Sequence, residues 1–136
     1  MSDPTQVSNS FEIKSSIPVL RMLNEEETRK FYVDFLGYQI DWEHRFRDSH
    51  DSPLYMQIHL GDSVLHLNGH ADSESPVAEV RIPVKGLDAF CDYLKEKCQR
   101  EEKPEVVDPR YSGENQDMNL YDPSGNLLVF WRDKNG

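Results

Sequence analysis

Two stretches of this chain combine a helical spacing of apolar residues with alternating patterns that follow it. The first helical stripe consists of Thr28, Phe31, Tyr32 and Phe35. Asn24 precedes the stripe as a candidate N-cap, and Glu27 stands three residues later at the capping-box position. Gly37 follows the stripe and favours the left-handed conformation in which helices commonly end. The first stretch therefore predicts a helix between Asn24 and Gly37.

The alternating patterns in the same half predict four strands, at residues 17–23, 38–46, 54–60 and 63–68. Gly61 and Asp62 form a two-residue turn of type II′, which prefers glycine first. The turn pairs Ile58 with Leu65 and so separates two faces of the hairpin. The apolar face should pack on the helix and contains Met56, Ile58, Leu60, Leu65 and Leu67. The mixed face should line solvent or a cavity and contains Tyr55, Gln57, His59, Val64, His66 and Asn68.

The second half repeats this order of elements. A strand at residues 77–84 is followed by a helix from Asp88, a candidate N-cap, to residue 99. The inward face of that helix contains Leu87, Phe90, Cys91, Leu94 and Cys98. The remaining elements are a short strand, a loop and a final hairpin, at residues 105–108, 109–116, 118–121 and 126–131.

The repeated order predicts an α+β fold made of two βαβββ modules, at about residues 17–70 and 77–134. We expect the modules to form a curved mixed sheet around a cavity, within a single domain of residues 17–134. Residues 1–16 are polar and are predicted to form a flexible N-terminal arm. A length of 136 residues fits one domain of this kind.

Charge and cysteine content narrow the function classes. The formal net charge of −10 disfavours nucleic acid and membrane surfaces as partners and favours cationic ligands. No signal peptide is visible at the start, and the longest apolar run, at residues 127–131, is too short to cross a bilayer. Cys91 and Cys98 would lie about 10 Å apart along a helix, which is too far for a disulfide. A reduced, cytoplasmic protein is therefore expected.

Three short motifs carry a family resemblance: Ile17-Pro18-Val19-Leu20, Phe31-Tyr32 with Leu36-Gly37-Tyr38, and Asp122-Pro123-Ser124-Gly125-Asn126. In this order the chain resembles the glyoxalase, bleomycin-resistance and extradiol-dioxygenase superfamily, which has the vicinal oxygen chelate fold. The segment at residues 61–67 resembles the strand-turn-strand of bleomycin-resistance proteins. That resemblance implies a homodimer that binds a small molecule without converting it, in grooves built from both subunits.

The resemblance also implies four positions at which metal-dependent relatives bind an ion, and these fall on Ile17, His66, Glu79 and Val129. Only His66 and Glu79 carry donor atoms, which is fewer than the three protein ligands usual at a catalytic site. His59 shares a face with His66 and could add a third. His66 could equally bond Gln57 across the hairpin, and Glu79 could be an ordinary exposed strand acid. The expectation is that the protein uses no cofactor.

Aromatic side chains are the main candidates for ligand contact, because flat rings stack on flat ligands and attract cations. The candidate ligand-binding residues are Trp42, Phe46, Tyr55, Gln57, His59, His66, Glu79, Arg81, Tyr111 and Trp131. Alternation places Trp42 on one face of its strand with Ile40 and His44. Arg81 stands where resistance proteins often carry a tryptophan. Its guanidinium would repel a cationic drug unless Glu79 or another acid neutralises it, and it could instead bind a carboxylate or phosphate.

Three functions remain in competition. The preferred one is a bleomycin-resistance-type protein that sequesters a small, cationic aromatic compound and performs no chemistry on it. The alternative is a metal-dependent glyoxalase-like or dioxygenase-like enzyme with an atypical site at His66 and Glu79, so enzymatic activity stays open. A third is a structural or regulatory dimer that has kept the fold and lost the ligand.

Overall fold

A computed structural model of the chain describes residues 10–45, 47, 51–109 and 115–133. Its first half comprises β1 (Val19–Arg21), α1 (Glu25–Arg29), a π-helical segment (Lys30–Leu36), β2 (Gln39–Arg45), β3 (Leu54–Leu60) and β4 (Ser63–Asn68). Its second half comprises β5 (Glu79–Pro83), α2 (Leu87–Lys97), β6 (Val106–Val107), β7 (Asn115–Tyr121) and β8 (Leu127–Asp133). The predicted α+β order of two βαβββ modules is confirmed.

Each module forms its own four-stranded mixed sheet, in the orders β1-β4-β3-β2 and β5-β8-β7-β6. In both sheets the first strand of the module pairs in parallel with the last, and the remaining pairs are antiparallel. The predicted hairpin register is confirmed, because Ile58 lies opposite Leu65 and Gln57 opposite His66. Gly61 has a φ of 57°, and Asp62 has a negative φ, because no described residue other than glycine has a positive one. A positive φ at the first turn residue and a negative φ at the second are what a type II′ turn requires.

The first helix begins as predicted and then changes its winding. The side-chain oxygen of Asn24 accepts a hydrogen bond from the backbone N–H of Glu27 at 2.9 Å. After Arg29 the chain continues as a π-helix that ends at Gly37, whose φ is 97°. The backbone N–H of Tyr38 bonds the carbonyl of Tyr32 at 2.8 Å to close this end. The π-helical winding had no signal in the residue spacing.

The second helix corrects the prediction for Asp88. The helix begins at Leu87, and Gly86 occupies the N-cap position with a φ of 80° and no side-chain cap. Asp88 therefore lies within the first turn, where its charge favours the positive end of the helix dipole. Its carboxylate pairs with Arg132 at 2.8 Å instead of capping the helix. The helix also ends at Lys97, earlier than expected.

A second correction concerns the predicted loop at residues 109–116. Strand β7 already begins at Asn115, so the end of that segment is paired with β8. Residues 110–114 lie outside the described part of the chain.

The two sheets share one core, which their apolar faces and the helices enclose. Its fully buried members include Leu20, Leu36, Ile58, Leu67, Leu94 and Phe130. Cys91 and Cys98 are buried and unpaired by a disulfide, as expected. None of the helices in the described ranges has the length and apolar composition needed to cross a bilayer. Each sheet thus turns one face to the core and leaves the opposite face open.

Two of the three family motifs, those that contain Tyr32 and Asp122, meet in the core. The hydroxyl of Tyr32 donates to the buried carboxylate of Asp122 at 2.7 Å. Asp122 also accepts hydrogen bonds from the backbone N–H groups of Ser124 and Asn126, both at 2.8 Å. The side-chain amide of Asn126 donates to the carbonyl of Arg21 and accepts from the backbone of Ala78, each at 2.9 Å. The Asp-Pro-Ser-Gly-Asn turn therefore joins the first module to the second.

Two buried tyrosines make stability depend on pH in the alkaline range. Burial raises the pKa of Tyr38 from 10.0 to about 12, and its hydrogen bond to Ser63 opposes the rise. Burial, and next the charge of Asp122, raise the pKa of Tyr32 well above its ordinary value. Below pH 10 folded and unfolded chains both keep these protons, so the two groups cause no pH dependence. Above it the unfolded chain loses them first, and the free energy of unfolding falls.

We expect urea denaturation between about pH 9 and pH 12 to show this loss, of roughly 3 kcal/mol for Tyr38 alone. Tyr38→Phe should flatten the decline, because phenylalanine has no proton to release. If wild type and Tyr38→Phe show the same pH dependence, Tyr38 has the same pKa in the folded and the unfolded chain, and the prediction is wrong.

Candidate ligand-binding site

The open face of the first sheet carries a cluster of aromatic rings, and we call this surface the first open face. The indole of Trp42 stacks on the ring of Tyr55, with centroids 6.1 Å apart and planes 13° apart. The imidazole of His66 meets both rings edge-on, at 5.4 Å from Trp42 and 5.3 Å from Tyr55. Trp42 is 43% exposed, so one surface of this aromatic platform is available to a ligand.

A β-bulge decides that Trp42 belongs to this platform. The register of β2 against β3 shifts between Ile40 and Trp42, so Asp41 is the extra residue. Ile40 lies opposite Ile58 and packs against the core, whereas Trp42 lies opposite Gln57 on the open face. The prediction that Ile40 and Trp42 share a face was wrong, because simple alternation does not account for the inserted residue.

A chain of hydrogen bonds runs beside the aromatic platform. His59 Nδ1 lies 2.6 Å from one carboxylate oxygen of Asp41, and Gln57 Nε2 donates to the other at 2.9 Å. The oxygen of Gln57 then lies 2.9 Å from His66 Nε2. Finally, His66 Nδ1 lies 2.9 Å from the hydroxyl of Tyr55. The chain joins five side chains across three strands.

The carboxylate of Asp41 sets the direction of this chain, because an ionised carboxylate can only accept. The hydrogen bond from Gln57 is the main cause that lowers the pKa of Asp41; desolvation, the next largest cause, opposes it, and the hydrogen bond and charge of His59 lower the pKa further. Gln57 donates with its nitrogen, so its oxygen accepts from His66 Nε2–H. His66 Nδ1 is then the acceptor for the hydroxyl of Tyr55. Both ring nitrogens of His66 are therefore engaged.

These donors do not fit a metal ion. His66 would have to release a hydrogen bond to offer a nitrogen, and Glu79 on β5 is the one other implied position that carries donor atoms. The other two implied positions, Ile17 and Val129, are hydrocarbon. Within the described ranges no three His, Cys, Asp or Glu side chains are grouped so that they could hold an ion. We therefore derive no chemical step through a metal.

The open face of the second sheet, which we call the second open face, carries an ion pair beside an indole. Arg81 lies 3.3 Å from the carboxylate of Asp117 and 5.8 Å from the ring centroid of Trp131. The side chain of Asp117 is 4% exposed and that of Arg81 is 37% exposed, so a buried carboxylate faces a guanidinium that reaches solvent. An acid other than Glu79 thus neutralises Arg81. Asp117 escaped the sequence analysis because it stood between the predicted loop and the last hairpin.

The candidate residues thus fall into two groups. The first open face brings together Trp42, Tyr55, Gln57, His59 and His66. The second open face brings together Arg81 and Trp131, while Glu79 stands at the start of β5 opposite Leu127. Phe46 and Tyr111 lie outside the described residues. Asp41 is the member of the first group that sequence reasoning missed, since only the bulge gives it two neighbours on β3.

Sequence comparison now places the chain in a family. A family model described as "Glyoxalase superfamily protein" matches residues 2–136. The chain belongs to the glyoxalase superfamily. The predicted resemblance is therefore confirmed for nearly the whole of this glyoxalase superfamily protein. No curated protein matches its sequence.

Solved structures with the same fold include proteins of several kinds. A bleomycin-binding protein complexed with bleomycin is 22% identical, with a TM-score of 0.63 over 89% of this chain and 99% of its own. TnmS3, an antibiotic binding protein from Streptomyces sp. CB03234, is 17% identical, with a TM-score of 0.61 over 88% and 97%. A glyoxalase-related enzyme from Clostridium phytofermentans is 17% identical, with a TM-score of 0.68 over 93% and 99%. At these identities the similarity establishes the fold that this superfamily member shares with them.

Proposed function

We propose that this protein binds a small, cationic aromatic compound and holds it without converting it. The observation that carries the proposal is the stacked pair of Trp42 and Tyr55, exposed on a sheet face. A flat ligand can extend this stack, and a cationic one is attracted to the faces of the rings. The bleomycin-binding and antibiotic-binding neighbours make drug-like molecules of this class the first to test.

Charge supports a cationic ligand. The chain has a net charge of −10, which draws cations toward it at low ionic strength. The ionised carboxylate of Asp41 lies next to Trp42 in the chain. The positive charge of Arg81 would repel a cationic ligand, and its ion pair with Asp117 offsets that charge.

The hydrogen-bond chain supports holding rather than conversion. Three groups on the first open face that could transfer protons, Tyr55, His59 and His66, are bonded into a chain whose donors lead to Asp41. These bonds lock the rings in place, which reduces the entropy lost when a ligand stacks on them. The alternative of a metal-dependent enzyme at His66 and Glu79 has no observation in its favour.

We further propose that the protein acts as a homodimer in the cytoplasm. Apolar side chains lie exposed at or near the outer strands of the sheets, with Ile17 40%, Val19 50% and Val77 55% exposed. A second copy could cover them and complete a ligand groove over each platform. Residues 1–16 would be an arm outside the domain of residues 17–134, since the described residues 10–16 form no helix or strand. The two free thiols suit a reducing compartment.

Calorimetric titration with bleomycin tests the ligand proposal, and light scattering of the same sample tests the dimer. We expect binding near two ligands per dimer, with an affinity that weakens as salt is added because charges attract the drug. Absence of heat at high micromolar bleomycin would overturn the proposal. Elemental analysis of protein purified without chelator tests the alternative. Stoichiometric zinc, nickel, manganese or iron would support a metal-dependent enzyme and contradict a protein that only binds its ligand.

A further inference from the structure

A separate cavity lies between the two modules, where the turn of the β3–β4 hairpin approaches β5. Its volume is about 640 Å³, within the range of pockets that take small ligands. Its walls are mostly apolar and come from both modules, including Leu60, Leu65, Val80, Ile82, Phe90 and Phe130. Of the candidate ligand residues that the structure describes, only Arg81 also lines this cavity. The cavity is therefore distinct from the aromatic platform.

A pair of hydroxyl groups stands in the wall of this cavity, whose lining also includes the charged residues Asp62, Arg81 and Lys85. The hydroxyl oxygens of Tyr38 and Ser63 lie 2.8 Å apart, and either can be the donor. Each hydroxyl carries one hydrogen, and their mutual bond uses one of the two. The second hydrogen has no other acceptor among the described residues. Tyr38 is 1% exposed and Ser63 is half-buried, so a ligand oxygen that accepted this hydrogen would be partly shielded from water.

A backbone acceptor stands next to this pair, at Val64. The parallel ladder of β1 on β4 includes a bond from the His66 N–H to the Pro18 carbonyl at 3.0 Å. Its next bond would run from the backbone nitrogen of residue 18 to the carbonyl of Val64. Proline has no N–H, so Pro18 ends the ladder and the Val64 carbonyl lacks that strand partner. Pro18 and Val64 both line the cavity.

We propose that this cavity binds a neutral, apolar molecule with a single hydroxyl group, an alcohol or a phenol. A hydroxyl accepts one hydrogen bond and donates another, which matches the spare hydrogen of the Tyr38–Ser63 pair and the carbonyl of Val64. The apolar walls bury the rest of the molecule. This ligand class and this cavity are independent of the cationic compound on the first open face.

Two fluorescent probes that differ only in the hydroxyl test the proposal: 1-naphthol and naphthalene. We expect wild type to bind 1-naphthol about 30-fold more tightly than naphthalene, since two hydrogen bonds with a net value near 1 kcal/mol each favour it. The double variant Tyr38→Phe/Ser63→Ala should lower this preference to about fivefold, because the Val64 carbonyl still accepts one hydrogen bond, and it should bind naphthalene as tightly as wild type does. Val84→Trp, which places a large side chain at the cavity wall, should weaken both.

Trp42→Ala serves as the matched control, because it alters the other site and should leave both affinities unchanged. Saturating bleomycin should likewise fail to displace 1-naphthol, so loss of drug binding and loss of naphthol binding are separate results. Equal affinity of wild type for the two probes, or no binding of either up to their solubility, would overturn the proposal. Retained naphthalene binding in the double variant shows that it is folded.

Discussion

Asp122→Ala should lower the free energy of unfolding by about 3–5 kcal/mol, the largest effect that we expect from any single substitution in this chain. The carboxylate is 6% exposed and accepts four hydrogen bonds, from Tyr32, from two backbone N–H groups and from the Asn126 amide. Alanine would leave these donors buried without an acceptor. Since the turn also ties both modules together, a small domain would lose a large part of its total stability. Urea or guanidinium denaturation measures the change.

Two further variants separate this role from a general effect of losing charge. Tyr32→Phe removes one of the four donors and should cost about 1–2 kcal/mol. Asp92→Ala removes an exposed acid from α2 and should change stability by less than about 0.5 kcal/mol. If Asp122→Ala proves no more destabilising than Asp92→Ala, the motif does not join the modules as the hydrogen bonds indicate.

Trp42→Ala should reduce the affinity for bleomycin by roughly 30-fold, the equivalent of about 2 kcal/mol of stacking and cation–π attraction. The indole is the exposed member of the platform, and its removal leaves Tyr55 alone to stack on a ligand. Trp42→Phe should keep most of the affinity because it retains a flat ring. Calorimetry on the three proteins measures the difference.

Tyr93→Ala provides the matched control for this prediction. Tyr93 is 50% exposed on α2, outside both open faces, so its loss removes a comparable aromatic surface without touching the platform. We expect its affinity for bleomycin to equal that of wild type. If the Trp42→Ala protein binds bleomycin as tightly as the Tyr93→Ala protein does, the ligand does not bind on the first open face.

The site was only partly accessible to sequence reasoning. Pairing of His66 with Gln57 followed from the two-residue turn, because a short turn determines the register of its hairpin. The position of Asp41 did not follow, because a bulge adds one residue without a mark in the alternation. Asp117 was missed for a related reason: its strand begins earlier than the turn residues around it indicated. Phe46 and Tyr111 stay predictions.

Local sequence by itself determined the order of elements, the start and end of the first helix and the faces of the β3–β4 hairpin. These features depend on contacts between residues near in sequence, such as Asn24 with Glu27, or on a turn of two residues. The tertiary structure alone decided which residues meet across the chain: Tyr32 with Asp122, Arg81 with Asp117, and both modules around one cavity. Those contacts join residues far apart in sequence, and they form only when two sheets pack around a common core, which no local pattern encodes.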